Sequence, residues 1–167
     1  LMFITFRFGL IIGVLLSVIL TGILGILIDW TALRPLRDKN SLPISALITT
    51  IGISYIIQNG LMIVFGSERK SFPRIIEVSY ITISGLMINS QQIMIFSTCL
   101  ILMIILTFII YKTKTGLAMR GIEQNRKAAN LMGINVNFII AFTFFLGGVS
   151  ACLGAVLISS YYQVVYP

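Results

Sequence analysis

The sequence predicts an all-α polytopic membrane protein with four transmembrane helices. Of its 167 residues, 57% are hydrophobic and only 10% are charged, whereas about 25% of the residues in a soluble domain are charged. The mean hydropathy is +1.03. A helix of about 20 apolar residues crosses a bilayer, and four segments reach that length. We therefore treat residues 1–167 as one transmembrane domain with predicted helices at 8–28, 42–65, 93–111 and 136–160.

The residue content excludes several kinds of site. The chain has no His, so neither a His-ligated metal site nor a His-activated nucleophile is available. We expect no catalytic residue, no metal and no cofactor. No segment matches the phosphate-binding P-loop, so any ATP hydrolysis is expected on a separate subunit. The net charge of +7 lies mostly in the connections between apolar segments and predicts membrane topology, not nucleic-acid binding.

Small residues recur at every fourth position in the first and last apolar segments. This spacing places them along one stripe of a helix, where a second helix can approach closely. We expect both stripes to be packing surfaces, and we expect the third segment, which has none, to face lipid. The first stripe is Gly9, Gly13, Ser17, Thr21 and Gly25, and the second is Thr143, Gly147, Ala151, Ala155 and Ser159.

The second apolar segment is the most polar of the four. Thr50, Ser54 and Gln58 are spaced i, i+4 and i+8 and share one helix face, with Asn59 beside them. Polar groups at membrane depth need partners, so this face either makes hydrogen bonds between helices or lines the path of a polar solute. No ionisable residue lies deep in any segment, which argues against proton-coupled transport.

The polar stretch 112–135 predicts a short helix outside the bilayer. Asn125 can cap its N-terminus, and Gly133 can end it with a positive φ. This helix would expose a small apolar surface beside Arg126 and Lys127, suited to docking on a partner, although a simple solvated loop is the alternative interpretation. The apolar residues are Ala128, Ala129, Leu131 and Met132.

Two further connections differ in character. In 29–41, Pro35 disfavours a helical conformation of the residue before it, so we expect Arg34 outside any regular helix. In 66–92, alternating β-branched residues around the turn signal Ser84–Gly85 predict a small extracytoplasmic hairpin.

The distribution of basic residues predicts sidedness. Four spans place the connections 29–41 and 112–135 on the same side, and these two hold eight of the 12 Lys and Arg residues. Loops rich in Lys and Arg stay in the cytoplasm. We therefore expect a multi-pass protein of the cell membrane, inner or plasma, with 29–41 and 112–135 cytoplasmic and both chain ends extracytoplasmic.

Three parts of the sequence match one known family. They are GLAMRGIEQNRKAANLMGINVNFIIAFTFFLGGVSACLGAVL, LRPLR followed by PISALITTIGISYIIQNG, and FGSERKSFP. These stretches resemble the branched-chain amino acid (LivH-like) permease family of ABC importers. The resemblance covers essentially the whole chain in the right order. Family members have further helices before and after the matching part, so we expect this chain to be a piece of a longer protein.

The resemblance implies a function for the polar stretch and a set of partners. The short helix would be a cytoplasmic coupling helix that sits in a groove of an ABC ATPase subunit. A homologous second permease subunit, an extracytoplasmic solute-binding protein and a branched-chain or related neutral amino acid are also implied. The expected coupling residues are Glu123, Asn125, Arg126, Lys127, Ala128, Ala129, Met132 and Gly133, and the expected translocation path is Thr50, Ser54, Gln58 and Asn59.

Two alternatives remain at this stage. Relatives in the same family import urea or amides, so the solute could differ. A non-transport membrane scaffold, packed through the small-residue stripes, would need no ATPase partner. A membrane enzyme is disfavoured because no His and no buried acid pair is present.

Overall fold

The computed structural model describes residues 2–38, 43–68, 70–71, 80–83 and 86–165, with side chains for 12–37, 44–68 and 89–164. Within these residues, four helices are long and apolar enough to cross a membrane, which confirms the predicted fold class. The long helices are α1 (Met2–Ile28), α3 (Pro43–Phe65), α4 (Ser90–Lys112) and α7 (Val136–Tyr162). The shorter elements are the π-helical segment Asp29–Leu33, α2 (Arg34–Asp38), α5 (Lys114–Gln124) and α6 (Arg126–Leu131).

Two short antiparallel strand pairs lie at the end of the fold opposite α6. Strand β1 (Lys70–Ser71) pairs with β4 (Val164–Val165), and β2 (Tyr80–Ile83) pairs with β3 (Leu86–Asn89). The second pair lies where the sequence predicts a hairpin, with Ile83 opposite Leu86. The expected turn residues 84–85 lie outside the described part of the chain, and the extracytoplasmic position of the pair stays a prediction.

The most extensive contact between helices is the antiparallel packing of α1 on α7. Two glycines bring the two helices into backbone contact, and a third accommodates an aromatic ring. A Cβ atom added to Gly25 would lie 2.6 Å from the Phe144 carbonyl oxygen, and one added to Gly148 would lie 2.7 Å from the Thr21 carbonyl oxygen. The Phe145 ring occupies the space that a side chain at Gly22 would fill. Because any larger residue would overlap the partner, these positions fix the distance between the helices.

The predicted α1 stripe lies partly at the α1–α7 contact, with Gly9 outside the residues whose burial is described. The predicted α7 stripe does not face α1, so its use as a packing surface stays a prediction. On α1, Thr21 and Gly25 lie at the contact, but Gly13 has no atom near its would-be Cβ. On α7 the expected stripe points away from α1, and its members Thr143, Gly147, Ala151 and Ala155 are exposed. The contact uses the adjacent face because the Phe145 ring packs on Gly22 there, burying more apolar area than small side chains could.

The connection 29–41 is helical as far as the structure describes it, so the predicted loop begins no earlier than residue 39. The N–H of Arg34 donates to the Asp29 carbonyl, five residues earlier, and Arg34 has helical angles of φ −62° and ψ −47°. The expectation that Arg34 leaves the helix is therefore wrong. A π-helical turn widens the helix just before Pro35, where the missing N–H would interrupt α-helical bonding.

Arg37 of α2 forms an ion pair with Asp29 of the π-helical segment and also donates to Asn137 at the start of α7. Arg37 Nη1 donates to Asp29 Oδ1 at 2.5 Å, and Nη2 lies 3.4 Å from Asp29 Oδ2 and 3.5 Å from Asn137 Oδ1. The Asp29 side chain is 3% exposed and that of Arg37 is 14% exposed. The ends of α1 and α7 are thus tied by a polar contact as well as by backbone packing.

Helices α3 and α4 leave most of their apolar surface uncovered. Helix α3 contacts the rest of the described chain mainly at the π-helical segment, and Ile56 and Ile63 are largely exposed. Helix α4 likewise exposes Phe96, Met103 and Phe108. Apolar surface of this extent marks contact with lipid or with other helices.

We predict opposite effects for the two adjacent glycines of α7. Gly148→Ala should destabilise the fold by about 1–3 kcal/mol, because its Cβ overlaps the α1 backbone. Gly147→Ala has open space around its Cβ and should be neutral or stabilise the helix by up to about 1 kcal/mol. Thermal unfolding of the detergent-purified chain measures both. Equal destabilisation by the two variants would contradict the packing of α1 on α7 described here.

Removing one member of the buried ion pair should cost more than removing both. Asp29→Asn leaves the Arg37 guanidinium uncompensated and should lower the free energy of unfolding by about 3 kcal/mol. The double variant Asp29→Asn/Arg37→Gln should recover at least half of that loss. The same unfolding measurement serves, and additive losses in the double variant would show that the two side chains do not act as a pair.

Candidate functional site

Helix α6 begins at the predicted cap. The Asn125 side-chain oxygen accepts hydrogen bonds from the backbone N–H groups of Lys127 at 3.0 Å and Ala128 at 3.1 Å. Asn125 has extended backbone angles, as an N-cap residue requires. Its own N–H donates to the Gly121 carbonyl at the end of α5. One residue therefore ends α5 and starts α6, which fixes the angle between them.

The C-terminus of α6 has the geometry of a Schellman motif. The Gly133 N–H donates to the Asn130 carbonyl at 3.0 Å, and the Ile134 N–H donates to the Ala129 carbonyl at 3.1 Å. Gly133 has φ +83°, a conformation in which residues with a Cβ atom are strained. Asn135 then caps α7 by accepting from the Phe138 N–H at 3.2 Å. The predicted caps at Asn125 and Gly133 are confirmed, and α6 is a rigid unit joined to α7 by a tight turn.

The two faces of α6 differ sharply in exposure. Ala129 is 3% exposed and packs in a buried cluster with Ile122 of α5 and Ile139 of α7. Leu131 and Met132 are 89% and 82% exposed. The expected apolar docking surface is therefore at the tip of the helix, and Ala129 anchors the helix from inside.

The remaining expected coupling residues lie at the end of α5 and in the first turn of α6. Glu123, Asn125, Arg126 and Lys127 are exposed, and Ala128 is half-buried. Arg126, Lys127 and Asn130 border an open groove of about 600 Å³ that continues to the start of α7. Arg126 and Lys127 make no ion pair with any residue that the structure describes.

The sequence interpretation missed α5, the helix that supports α6. Thr113 caps it by accepting from the Gly116 N–H at 3.1 Å, and Ala118, Met119 and Ile122 face the cluster around Ala129. Gly116 lies against the carbonyl oxygens of Ile109 and Ile110, where a Cβ would clash, so the chain folds back sharply after α4. Threonine before an i, i+1, i+4 apolar pattern was the available signal.

A cation–π contact also holds α5 against α4. The Arg120 guanidinium lies 5.3 Å from the Tyr111 ring centroid. Such contacts contribute about 0.5–1 kcal/mol at exposed sites and more when shielded from water. This contact and the close approach of Gly116 to the end of α4 hold α5 in place, and α5 in turn supports α6.

The polar face of α3 divides into satisfied and free groups. Thr50 Oγ1 donates to the Leu47 carbonyl at 2.9 Å, and Asn59 Nδ2 donates to the Tyr55 carbonyl at 2.7 Å. Ser54 and Gln58 make no side-chain hydrogen bond with any described residue. Thr50, Ser54 and Gln58 line a groove of about 390 Å³ along the helix, and Asn59 does not. The structure brings three of the four expected path residues together.

The two sets of expected site residues lie in separate parts of the fold. The α6 tip is at one end of the bundle, whereas the α3 groove lies along the side of a spanning helix. Among the described residues, no group of three or more His, Cys, Asp and Glu side chains is arranged to hold a metal ion.

Three curated relatives share the sequence over most of this chain. The high-affinity branched-chain amino acid transport system permease protein BraD of Pseudomonas aeruginosa is 36% identical over 155 residues, covering 90% of this chain and 50% of the relative. The corresponding protein LivH of Salmonella typhimurium is 31% identical over 159 residues, covering 93% and 51%. LivH of Escherichia coli is 30% identical over 155 residues, covering 90% and 50%.

The chain thus spans about half the length of the curated relatives it matches. No solved structure gives a significant match to it. A family model described as branched-chain amino acid transport system / permease component matches residues 1–167. Together with four apolar helices of spanning length, this match identifies a multi-pass membrane protein. The chain belongs to the family of permease components of branched-chain amino acid transport systems.

Proposed function

We propose that this chain is part of the membrane permease of an ATP-driven importer for branched-chain or related neutral amino acids. The observation that carries the proposal is α6, a short helix capped at both ends, anchored by Ala129 and exposing Leu131 and Met132. The family membership of the chain also supports the proposal, since the relatives are named as permease proteins of high-affinity transport systems.

In this proposal α6 is the coupling helix. An ABC ATPase subunit holds the exposed tip in a groove, and ATP hydrolysis takes place on that subunit. When the ATPase dimer closes, it displaces α6 as one piece, because hydrogen bonds at Asn125 and Gly133 hold both ends of the helix. The cluster of Ala129, Ile122 and Ile139 passes the movement to α5 and α7.

Movement of α7 then reaches α1. The two helices touch through backbone atoms at Gly25 and Gly148, so one cannot slide without displacing the other. The contact of Arg37 with Asp29 and Asn137 joins the same two helices at the α6 end. Close packing of this kind favours motion of α1 and α7 as a pair.

The translocation path is proposed along the polar face of α3. Ser54 and Gln58 offer a hydroxyl and an amide without fixed charge, which suits the polar groups of a zwitterion that must be released again. Each bilayer-exposed polar group without a partner is unfavourable, so this face is expected to be covered by further helices of the permease or by a homologous second permease subunit. An extracytoplasmic solute-binding protein would deliver the substrate at the opposite end from α6.

The sidedness of the transporter follows from charge. The structure places α2 and the α5–α6 unit at the same end of the bundle, where Arg37 meets Asn137. Arg34 and Arg37 of the first connection therefore lie at the same end as the basic residues of 112–135, which supports a cytoplasmic position for that end. If the chain belongs to a urea or amide importer, α6 would have the same coupling role, and only the solute that contacts the α3 groove would differ.

Coupling should depend on the backbone conformation at Gly133. Gly133→Ala should reduce substrate-stimulated ATP hydrolysis of the assembled transporter about five- to tenfold, because a Cβ at φ +83° costs about 1–2 kcal/mol. Gly133→Asn is the matched control and should lose less than twofold, since Asn tolerates this conformation. Membrane insertion should be unchanged in both variants, because nothing lies within 4 Å of the added Cβ.

Normal substrate-stimulated ATP hydrolysis in Gly133→Ala would contradict the proposed coupling role of α6.

Co-purification tests the proposed importer function itself. The detergent-solubilised permease should bring an ABC ATPase subunit with it, and a scaffold protein should not. Recovery of the permease without an ATPase under conditions that preserve related transporters would overturn the importer assignment.

Transport should respond differently to two polar residues of α3. Gln58→Leu removes an amide that no described residue binds, and uptake at low substrate concentration should fall at least tenfold, as expected when a polar contact to the solute is lost. Thr50→Val removes a hydroxyl already bonded to its own helix and should change uptake less than threefold. Equal effects of the two variants would indicate that the face only packs helices.

A further inference from the structure

A second cavity lies between the end of α1 and the start of α7. It has a volume of about 420 Å³, and its walls come from the last turns of α1, the π-helical segment and the first turns of α7. None of the expected coupling or path residues lines it. The lining residues are Ile26, Asp29, Trp30, Arg34, Asn135, Asn137, Phe138 and Ala141.

Both walls of this cavity change from apolar to polar in the same direction. Along α1 and its extension, Ile26 is followed by Trp30 and Arg34. Along α7, which runs the other way, Ala141 and Phe138 lie deeper in the bundle and Asn135 lies at its end. The occupant that matches such walls is an amphiphile aligned with the bundle, its apolar part toward the membrane core and its polar part toward the α6 end.

The polar end of the cavity carries a net positive charge. Asp29 lines it, but its carboxylate is already paired with Arg37 at 2.5 Å, so it does not offer a free anion to a cation. Arg34 makes no ion pair or side-chain hydrogen bond with any described residue. Its guanidinium, with the amides of Asn135 and Asn137 beside it, supplies the donors that bind phosphate oxygens.

Trp30 places this polar end at the membrane interface. Its side chain is 62% exposed although it follows an apolar span, and Trp is enriched where hydrocarbon meets headgroups. Basic pockets between spanning helices at that depth can hold anionic lipid headgroups. We infer that this cavity binds the phosphate headgroup of an anionic phospholipid from the surrounding bilayer, with Arg34 as the cation that selects its charge.

This site does not depend on the transport function, since it requires only that the chain spans a membrane. The phosphate would be held at the corner where Arg37, Asp29 and Asn137 join α1 to α7. A ligand that binds only the folded state stabilises it in proportion to the logarithm of its concentration over its dissociation constant. The bound lipid would thus stabilise the α1–α7 corner next to α6.

Native mass spectrometry and thermal unfolding of the detergent-purified chain test the site. We expect phosphatidylglycerol to bind and to raise the unfolding temperature, and phosphatidylcholine at equal concentration to do so at least about tenfold more weakly. Water-soluble glycerol 3-phosphate should bind much more weakly than the lipid, because it cannot contact Ile26 and Phe138. Equal binding of both lipids, or of glycerol 3-phosphate and phosphatidylglycerol, would overturn the inference.

Two variants assign the binding to this cavity. Arg34→Gln should weaken phosphatidylglycerol binding about tenfold, whereas Lys114→Gln, which removes an exposed charge at the same end of the bundle, should change it less than twofold. Phe138→Ser alters the apolar wall without changing charge and should weaken binding of the lipid at least threefold. Equal losses in Arg34→Gln and Lys114→Gln, or unchanged lipid binding in Phe138→Ser, would contradict the site.

Discussion

Backbone contact between α1 and α7 is the constraint on which the rest of the structure depends. Gly25 and Gly148 bring main-chain atoms of the two helices together, so their distance is set by the absence of side chains and not by flexible packing. In a bilayer, where apolar side chains gain little by leaving lipid, such close van der Waals contact is a main source of helix association. Of the two other long helices, α4 contacts α7, and α3 contacts the rest of the described chain mainly at the π-helical segment.

The α6 unit is attached to this rigid pair at one end. Its anchor is Ala129, held by Ile122 and Ile139, and its turn into α7 is fixed at Gly133 by two backbone hydrogen bonds. The exposed tip therefore has a defined position relative to both helices. In the proposed mechanism, a partner that displaces Leu131 and Met132 would move the α1–α7 pair through these contacts.

The four spanning helices and the caps at Asn125 and Gly133 could be predicted from the sequence, whereas helix faces and the supporting helix α5 could not. Long apolar runs and the residues Asn125 and Gly133 act locally, so their effect is visible without a structure. The choice between adjacent Gly147 and Gly148 depends on where the Phe145 ring packs, and that is decided by α1. The burial of Ala129 depends on α5, and the pairing of Asp29 with Arg37 depends on a π-helical turn before Pro35. These are consequences of packing that no local pattern encodes.

The central claim is that α6 lies on the cytoplasmic side, where an ATPase can reach it, and cysteine accessibility of the α6 tip tests this most directly. Cys99 and Cys152, both free thiols, would first be replaced by Ala, and Met132→Cys and Tyr162→Cys introduced separately at opposite ends of the bundle. A membrane-impermeant maleimide should label Met132→Cys in inside-out vesicles and not in right-side-out vesicles, and Tyr162→Cys should show the reverse. Labelling of Met132→Cys from the outer side would place α6 beyond the reach of a cytoplasmic ATPase and contradict the account.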